Sequence, residues 1–151
     1  MNTFDEYTDP GMLQDGELTL RFISFAPHQA HLVPTYHFRM THADTAEDMG
    51  RINLRAQTND TIERYAGHIG YAVQKEHRGH HYAARSVLLL LPLVRRLAID
   101  PLWITCNDVN LASRRSCELA GAELIDIVDV PPSYVGYAFG DRRKCRYRLR
   151  T

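Results

Sequence analysis

Apolar and polar residues alternate over several short segments of this chain, with the period of two that is typical of half-buried β-strands. A continuous apolar run at 102–106 is instead typical of a strand that is buried on both faces. Together these patterns predict seven strands, over 18–25, 36–40, 50–56, 67–74, 102–106, 123–130 and 144–149.

Two longer segments predict helices, at about 83–98 and at 111–120. Pro92 lies inside the first and has no N–H to donate to Leu88, so a kink or a local irregularity is expected there. Gly121 stands where helices commonly end in a left-handed residue. The order of elements is strands, then strand–helix–strand–helix–strand, then a last strand. That order fits a mixed sheet covered by two helices.

The length and composition are those of an ordinary globular protein. The chain has 151 residues, of which 44% are hydrophobic and 24% charged, values that exclude wholesale disorder. We interpret 1–151 as one domain whose residues 1–16 form a loose lead-in, because that stretch is acidic and contains turn residues. The longest uncharged apolar run has eight residues, whereas a membrane-spanning helix needs about 20. Three cysteines without metal-type spacing, and no visible signal peptide, favour reduced thiols and a cytoplasmic location.

Charge is divided unevenly between the two halves of the chain. Residues 1–63 contain ten acids and four bases, whereas 64–151 contain eight acids and fourteen bases. Sixteen of the eighteen bases are arginine, whose planar fork matches phosphate and carboxylate groups. The back half is therefore where an anionic partner is expected, although codon composition is an alternative explanation for the arginine content.

The junction between the fourth strand and the first helix has the features of an anion-binding loop. Arg78 lies five residues after Val73, Gly79 follows it, and the helix begins near Ala83. The free N–H groups and positive dipole end of a helix start bind anions, and a glycine lets the backbone approach a ligand closely. These residues predict a phosphate-binding loop.

A second set of spaced residues follows about 30 residues later. Asn110 opens the next helix, and Ser113, Cys117 and Gly121 follow at offsets of three, seven and eleven. Together with the loop Arg78–Ala83, this arrangement resembles the GNAT superfamily of acyl-CoA-dependent N-acetyltransferases. The resemblance implies a GNAT-like α/β fold, with a mixed, largely antiparallel sheet and two main helices.

What the resemblance implies for the cofactor is specific. Acetyl-CoA would be the co-substrate, with its pyrophosphate on the backbone N–H groups of 79–84 and its pantetheine paired with 71–73 in the manner of an added strand. Asn110 would either contact the pantetheine arm or cap its helix. The implied acetyl-CoA-binding residues are Tyr71, Ala72, Val73, Arg78, Gly79, His80, His81, Tyr82, Ala83 and Asn110.

The same resemblance suggests two catalytic residues for direct attack of a primary amine in a ternary complex. His68 lies five residues before Val73, where relatives often carry a Glu that acts as a base. Cys117 stands where many relatives place the Tyr that protonates the departing thiolate. The structural alternatives are a strand histidine bonded to its neighbours and a small cysteine in the core.

Two departures from the family pattern leave other outcomes open. His81 replaces a glycine of the loop, and only about ten residues, 26–35, stand where the family has two acceptor-side helices. The acceptor site is therefore open, completed by a second copy in a homodimer, or rebuilt from 57–65 and 131–143. The alternative function is a non-catalytic CoA-binding or regulatory module.

Two further partner classes are disfavoured. The histidines at 77, 80 and 81 have no cysteine or carboxylate at a metal-type spacing, so no metal is expected. The basic residues of 142–150 alternate with apolar ones, which indicates one solvated face of a strand rather than a nucleic-acid site.

Overall fold

The computed structural model describes residues 7–27 and 30–151, and its strands form one sheet. The sheet order is β1-β2-β3-β4-β5-β6-β8-β7, and every neighbouring pair is antiparallel except β5 and β6, which are parallel. The strands are β1 (Gln14–Asp15), β2 (Leu18–Ala26), β3 (Thr35–His42), β4 (Asp48–Arg55), β5 (Ile69–Val73), β6 (Leu102–Asn107), β7 (Glu123–Asp129) and β8 (Arg143–Leu149). This confirms the mixed, largely antiparallel sheet. The extra strand, β1, is too short to show a periodic pattern.

Both helices pack on one face of this sheet. Helix α1 (Tyr82–Arg96) and helix α2 (Leu111–Leu119) touch each other and bury their apolar sides against the strands. Burying one such leucine or valine contributes about 1.5–3 kcal/mol, so this face holds the hydrophobic core. Helix α1 continues through Pro92, which is exposed. The fully buried residues of the core include Tyr36, Phe38, Ile52, Leu54, Leu90 and Leu93.

The first described residues are held against α1, which corrects the expectation of a loose lead-in for this part of the chain. Leu13 is buried, and Arg96 donates from Nη1 to the carbonyl oxygen of Asp9 at 2.9 Å. Arg85 pairs with Asp15 at 2.7 Å and with Glu17 at 2.6 Å. The turn residues and acids of 7–16 therefore serve a packed β-hairpin. Residues 1–6 lie outside the described part of the chain.

The opposite face of β2–β5 carries no helix among the described residues. Among its described residues, the connection from β2 to β3 contains only the short 3-10 turn Ala30–Leu32, in line with the expected loss of the acceptor-side helices. Arg21, Arg39 and Arg51 stand side by side on three strands of this face, since the register pairs Arg21 with Arg39 and Arg39 with Arg51. We call this surface, with Arg55 at its edge, the open face.

Strands β5 and β6 separate almost as soon as they meet. Ile69 and Ile104 are their single register pair. One residue earlier, the backbone N–H of His68 donates to the carbonyl oxygen of Trp103 at 2.7 Å. Beyond Ile69 the β6-facing edge of β5 has no strand partner in the described structure. This divergence opens a cleft in the middle of the sheet. No helix among the described residues has the length and apolar character needed to cross a bilayer.

Candidate functional site

The cleft lies between β5 and the first turns of both helices, and has a volume of about 510 Å³. Nine of the ten predicted acetyl-CoA-binding residues line it. The exception is His80, which is exposed and whose ring centroid lies 5.2 Å from that of Tyr82. The nine are Tyr71, Ala72, Val73, Arg78, Gly79, His81, Tyr82, Ala83 and Asn110.

One end of the cleft suits an anion. Helix α1 starts there without a side-chain cap and without an acidic residue in its first turn, so its free N–H groups and positive dipole end are unopposed. Gly79 has a φ of +97° and no atom within 4 Å of a Cβ position, so the loop leaves room for a ligand. Arg78 holds its side chain over the strand end by donating from Nε to the carbonyl oxygen of Val73 at 3.2 Å. The arrangement can hold a phosphate group.

Two hydroxyl groups meet inside the cleft. The Tyr71 hydroxyl lies 2.7 Å from Ser113 Oγ and 4.0 Å from Cys117 Sγ. Burial raises the pKa of Tyr71 above its ordinary value, so the phenol keeps its proton at neutral pH. The sequence offset at Ser113 marked that residue as part of a motif, but no pattern in the sequence showed that Tyr71 would reach across to it.

The Asn110 side chain caps helix α2. Its Oδ1 accepts a hydrogen bond from the backbone N–H of Ser113 at 3.1 Å, the usual N-cap geometry. Of the two roles that the resemblance allowed, capping is the one seen here. The cap stabilises the first turn of α2, which contributes Ser113 to the lining of the cleft.

His68 is separated from the cleft. Its side chain is fully buried, Nδ1 accepts from the backbone N–H of Trp103 at 2.9 Å, and Nε2 lies 2.7 Å from Thr58 Oγ1. Burial, with a smaller effect from the Arg55 charge, lowers the pKa of His68 to about 4. The lone pair that a base would use is already occupied, so the geometry corrects the expected catalytic role. It matches the alternative of a structural histidine.

Cys117 is also placed in the core. It is buried on the sheet side of α2 and does not line the cleft. Its contact with the thiol of Cys106, and its burial, raise the pKa of Cys117 above that of an ordinary thiol. A buried thiol that faces the sheet and does not line the cleft is not placed to protonate a departing thiolate there, which corrects the second expected catalytic residue. The Tyr71 and Ser113 hydroxyls, rather than this thiol, face the cleft.

The described residues offer no candidate metal-binding cluster. No group of three or more His, Cys, Asp or Glu side chains in the described parts of the chain is arranged to hold a metal ion. His77 instead lies 3.2 Å from a Glu47 carboxylate oxygen.

His81 explains why a glycine is favoured in this loop, and a substitution tests it. Its φ of 61° and ψ of 30° are left-handed, a conformation that costs an ordinary residue about 1–2 kcal/mol. Glycine removes this cost but loses more conformational entropy on folding. We therefore expect His81→Gly to raise the free energy of unfolding by about 0.5–1 kcal/mol. Denaturant unfolding measures the change, and the control His80→Gly should show no gain in the free energy of unfolding. A destabilised His81→Gly protein would show that the imidazole makes a compensating contact.

Comparison with known proteins agrees with this architecture. The family model described as an acetyltransferase (GNAT) domain matches residues 4–123. Comparison with curated proteins finds no match.

Several solved structures share the fold at low sequence identity. A GNAT-family protein from Chromobacterium violaceum is 12% identical, with a TM-score of 0.67, over 96% of this chain and 88% of its own. The microcin C7 self-immunity acetyltransferase MccE, solved with acetyl-CoA and AMP, is 14% identical with a TM-score of 0.59. The ribosomal L7/L12 α-N-protein acetyltransferase RimL is 18% identical with a TM-score of 0.58. Each of the latter two matches 78% of this chain, which spans only 61% of theirs.

The family model covers most of the chain, and the solved structures share the sheet and helices that build the cleft. Acetyl-CoA is the co-substrate of that family. The chain therefore belongs to the GNAT family of acetyltransferases.

Proposed function

We propose that this protein transfers the acetyl group of acetyl-CoA to a primary amine, which attacks the thioester directly in a ternary complex. The observation that carries the proposal is the cleft itself, in which the uncapped start of α1 and the unpaired edge of β5 face one another. The acetyl-CoA in the MccE structure and the α-N-protein substrate named for RimL support this choice of donor and acceptor.

The two ends of the cleft suit the two ends of the donor. The pyrophosphate would accept hydrogen bonds from the backbone of 79–84, with Arg78 adding a fixed positive charge. The pantetheine amides would pair with the free edge of 71–73, as a peptide adds to a sheet edge. The thioester would then lie where β5 and β6 diverge, next to the Tyr71 hydroxyl.

The same geometry indicates which groups take up and supply the protons of the reaction. An alkyl amine has a pKa near about 10 and must lose a proton before it attacks. Since His68 and Cys117 are held in the core, we propose that the amine loses its proton to solvent at the open face. The departing thiolate would take a proton from the Tyr71–Ser113 hydroxyl pair, whose hydrogen bond of 2.7 Å lets Ser113 share the charge.

We also propose that the protein acts as a cytoplasmic homodimer. The described cysteines are all free, which suits a reducing compartment. Strand β7 is an edge strand with Leu124, Ile125 and Ile127 each more than a third exposed, a surface that association would cover. Light scattering at high micromolar concentration tests the assembly, and a monomer there would contradict it.

A non-catalytic CoA-binding module is the second candidate. The observation that favours it is the strained His81 in the phosphate loop. The two functions are separated by turnover, because both bind acetyl-CoA but only a transferase releases CoA faster when an amine is added. A screen of amines with thiol detection gives that answer.

The test of the donor site is Arg78→Ala. Losing one charged contact to a phosphate is expected to weaken acetyl-CoA binding about tenfold, since hydrogen bonds to charged groups contribute about 1.5–3 kcal/mol. Calorimetry measures the affinity, and added salt should weaken it as well. The matched control is Arg95→Ala, at the exposed far end of α1. Equal affinities in both variants would place the phosphates elsewhere.

A further inference from the structure

The inner end of the cleft, where β5 and β6 diverge, lies across the sheet from the open face. Tyr71 points into the cleft, whereas its neighbour Gly70 belongs to the open face, as strand alternation requires. A Cβ on Gly70 would lie 3.7 Å from Nη2 of Arg55. An acceptor that reaches the point of divergence from the open face therefore meets this guanidinium first.

Arg55 is a half-buried cation without a counter-ion among the described residues. It donates only through Nη1 to described partners, to the carbonyl oxygens of Ala66 at 3.3 Å and Gly67 at 2.9 Å. No carboxylate of the described residues lies within ion-pair distance of it. The Nε and Nη2 edge is the part of the fork that binds a carboxylate side-on. Burial lowers the pKa of Arg55 from its ordinary value, which marks an incompletely compensated charge.

Gly70 has no backbone reason to be glycine. Its φ is not positive, and a Cβ there would meet no atom within 4 Å other than Arg55 Nη2. A glycine in the middle of a strand costs stability and often marks a site where a ligand approaches closely. Here its effect is to keep the space beside the free edge of Arg55 empty.

Three connections bring aromatic rings together near this space. Tyr134, from the β7–β8 connection, has its ring centroid 5.4 Å from Tyr65 and 6.1 Å from His31, which it stacks on. The charge of Arg55 acts on the pKa values of both His31 and Tyr134, which places both near the guanidinium. The segments expected to rebuild an acceptor site, 57–65 and 131–143, thus both supply aromatic rings to this region.

We propose that Arg55 binds a carboxylate carried by the acceptor, so that the substrate class is a short amino acid-like amine rather than a simple alkylamine. This rests on the proposed acetyl transfer and names its acceptor. The carboxylate would receive two hydrogen bonds from Nε and Nη2 of Arg55, over Gly70. Its amine would extend past Gly70 toward the thioester on the other side of the sheet.

The rest of the open face favours such an acceptor. Arg21, Arg39 and Arg51 are aligned across three strands, although like charges placed directly opposite one another are destabilising. Of the three, only Arg39 has an ion pair among the described residues, with Asp48 at 2.6 Å. The surplus of positive charge raises the local concentration of an anionic acceptor.

Matched acceptors measure the carboxylate preference directly. β-Alanine and propylamine differ by a carboxylate in place of a methyl group, as do glycine and ethylamine. We expect the wild-type kcat/KM to favour the carboxylate member by about tenfold or more, the range of a charged hydrogen-bonded pair. In Arg55→Gln that ratio should fall to about one, whereas Arg95→Gln, exposed at the far end of α1 and away from the open face, should keep it. Because each ratio is taken within one protein, a change in the amount of folded enzyme cancels.

A binding measurement keeps the inference testable without turnover. The Nε–Hε resonance of Arg55, assigned by its loss in Arg55→Gln, is followed by NMR with CoA bound. β-Alanine should shift it saturably, and propylamine at equal ionic strength should not. Transfer to both amines at equal rates would overturn the inference and leave the proposed function standing. If no amine reacts, the proposed function fails, and an Arg55 resonance that β-alanine leaves unmoved would overturn the carboxylate site as well.

Discussion

Acidifying the protein from pH 7 to pH 4 is expected to remove about 3 kcal/mol of folding free energy through His68 alone. The pKa of His68 is lowered by burial to about 4 in the folded protein, and its ordinary value is about 6.5. Between these values the unfolded chain binds a proton that the folded protein excludes, so stability falls as the pH falls. The contribution is complete above pH 6.5 and lost near pH 4. Each pH unit in this window is worth about 1.4 kcal/mol.

Comparison of wild type with His68→Gln isolates this effect. At pH 7 the substitution breaks the hydrogen bonds to Trp103 and Thr58 in a fully buried site, which costs about 2–3 kcal/mol. At pH 4 the two proteins should be about equally stable, because wild type has lost about 3 kcal/mol through His68 and glutamine does not titrate. Denaturant unfolding across this pH range measures it, with the exposed His80→Gln as control. A constant difference, together with a turnover number lowered about 100-fold, would return His68 to the role of general base.

The sequence predicted the scaffold of the site better than its chemistry. Strands, helices and the loop from Arg78 to Ala83 follow from local periodicity and spacing, and the structure places nine of the ten predicted binding residues around one cleft. The two catalytic predictions, His68 and Cys117, depended on which way a side chain faces. Strand β5 pairs with β4 in unbroken register, so alternation places the side chains of His68 and Val73, five residues apart, on opposite faces of the sheet.

The open face shows a second limit of sequence reasoning. Alternation placed Arg51 and Arg55 on one side of β4, but the meeting of Arg55 with Gly70, Tyr134 and His31 depends on three connections that are distant in sequence. No periodic pattern encodes such a convergence. The sequence did identify 57–65 and 131–143 as the segments available to rebuild the acceptor side. It could not show that their aromatic rings would meet.

Gly67 is the residue on which the closest approach of β5 to β6 depends. Its φ is +68°, and a Cβ there would lie 2.9 Å from the carbonyl oxygen of Trp103 and 3.0 Å from the backbone nitrogen of Thr105. Both atoms belong to the backbone of a buried strand and cannot move aside cheaply. Any side chain at 67 therefore separates the two strands at the point where the cleft begins.

We expect Gly67→Ala to lower the free energy of unfolding by about 3 kcal/mol or more, since the left-handed backbone costs about 1–2 kcal/mol and the backbone clash adds to it. Gly11→Ala is the matched control, because Gly11 has a φ of +74° but no atom within 4 Å of its Cβ position. It should show the backbone cost alone. Urea unfolding of both variants gives the clash by difference. Since the cleft starts beside Gly67, acetyl-CoA affinity should also fall in Gly67→Ala and not in Gly11→Ala. Equal losses of stability in the two variants would contradict the clash and show that β5 and β6 have room to separate.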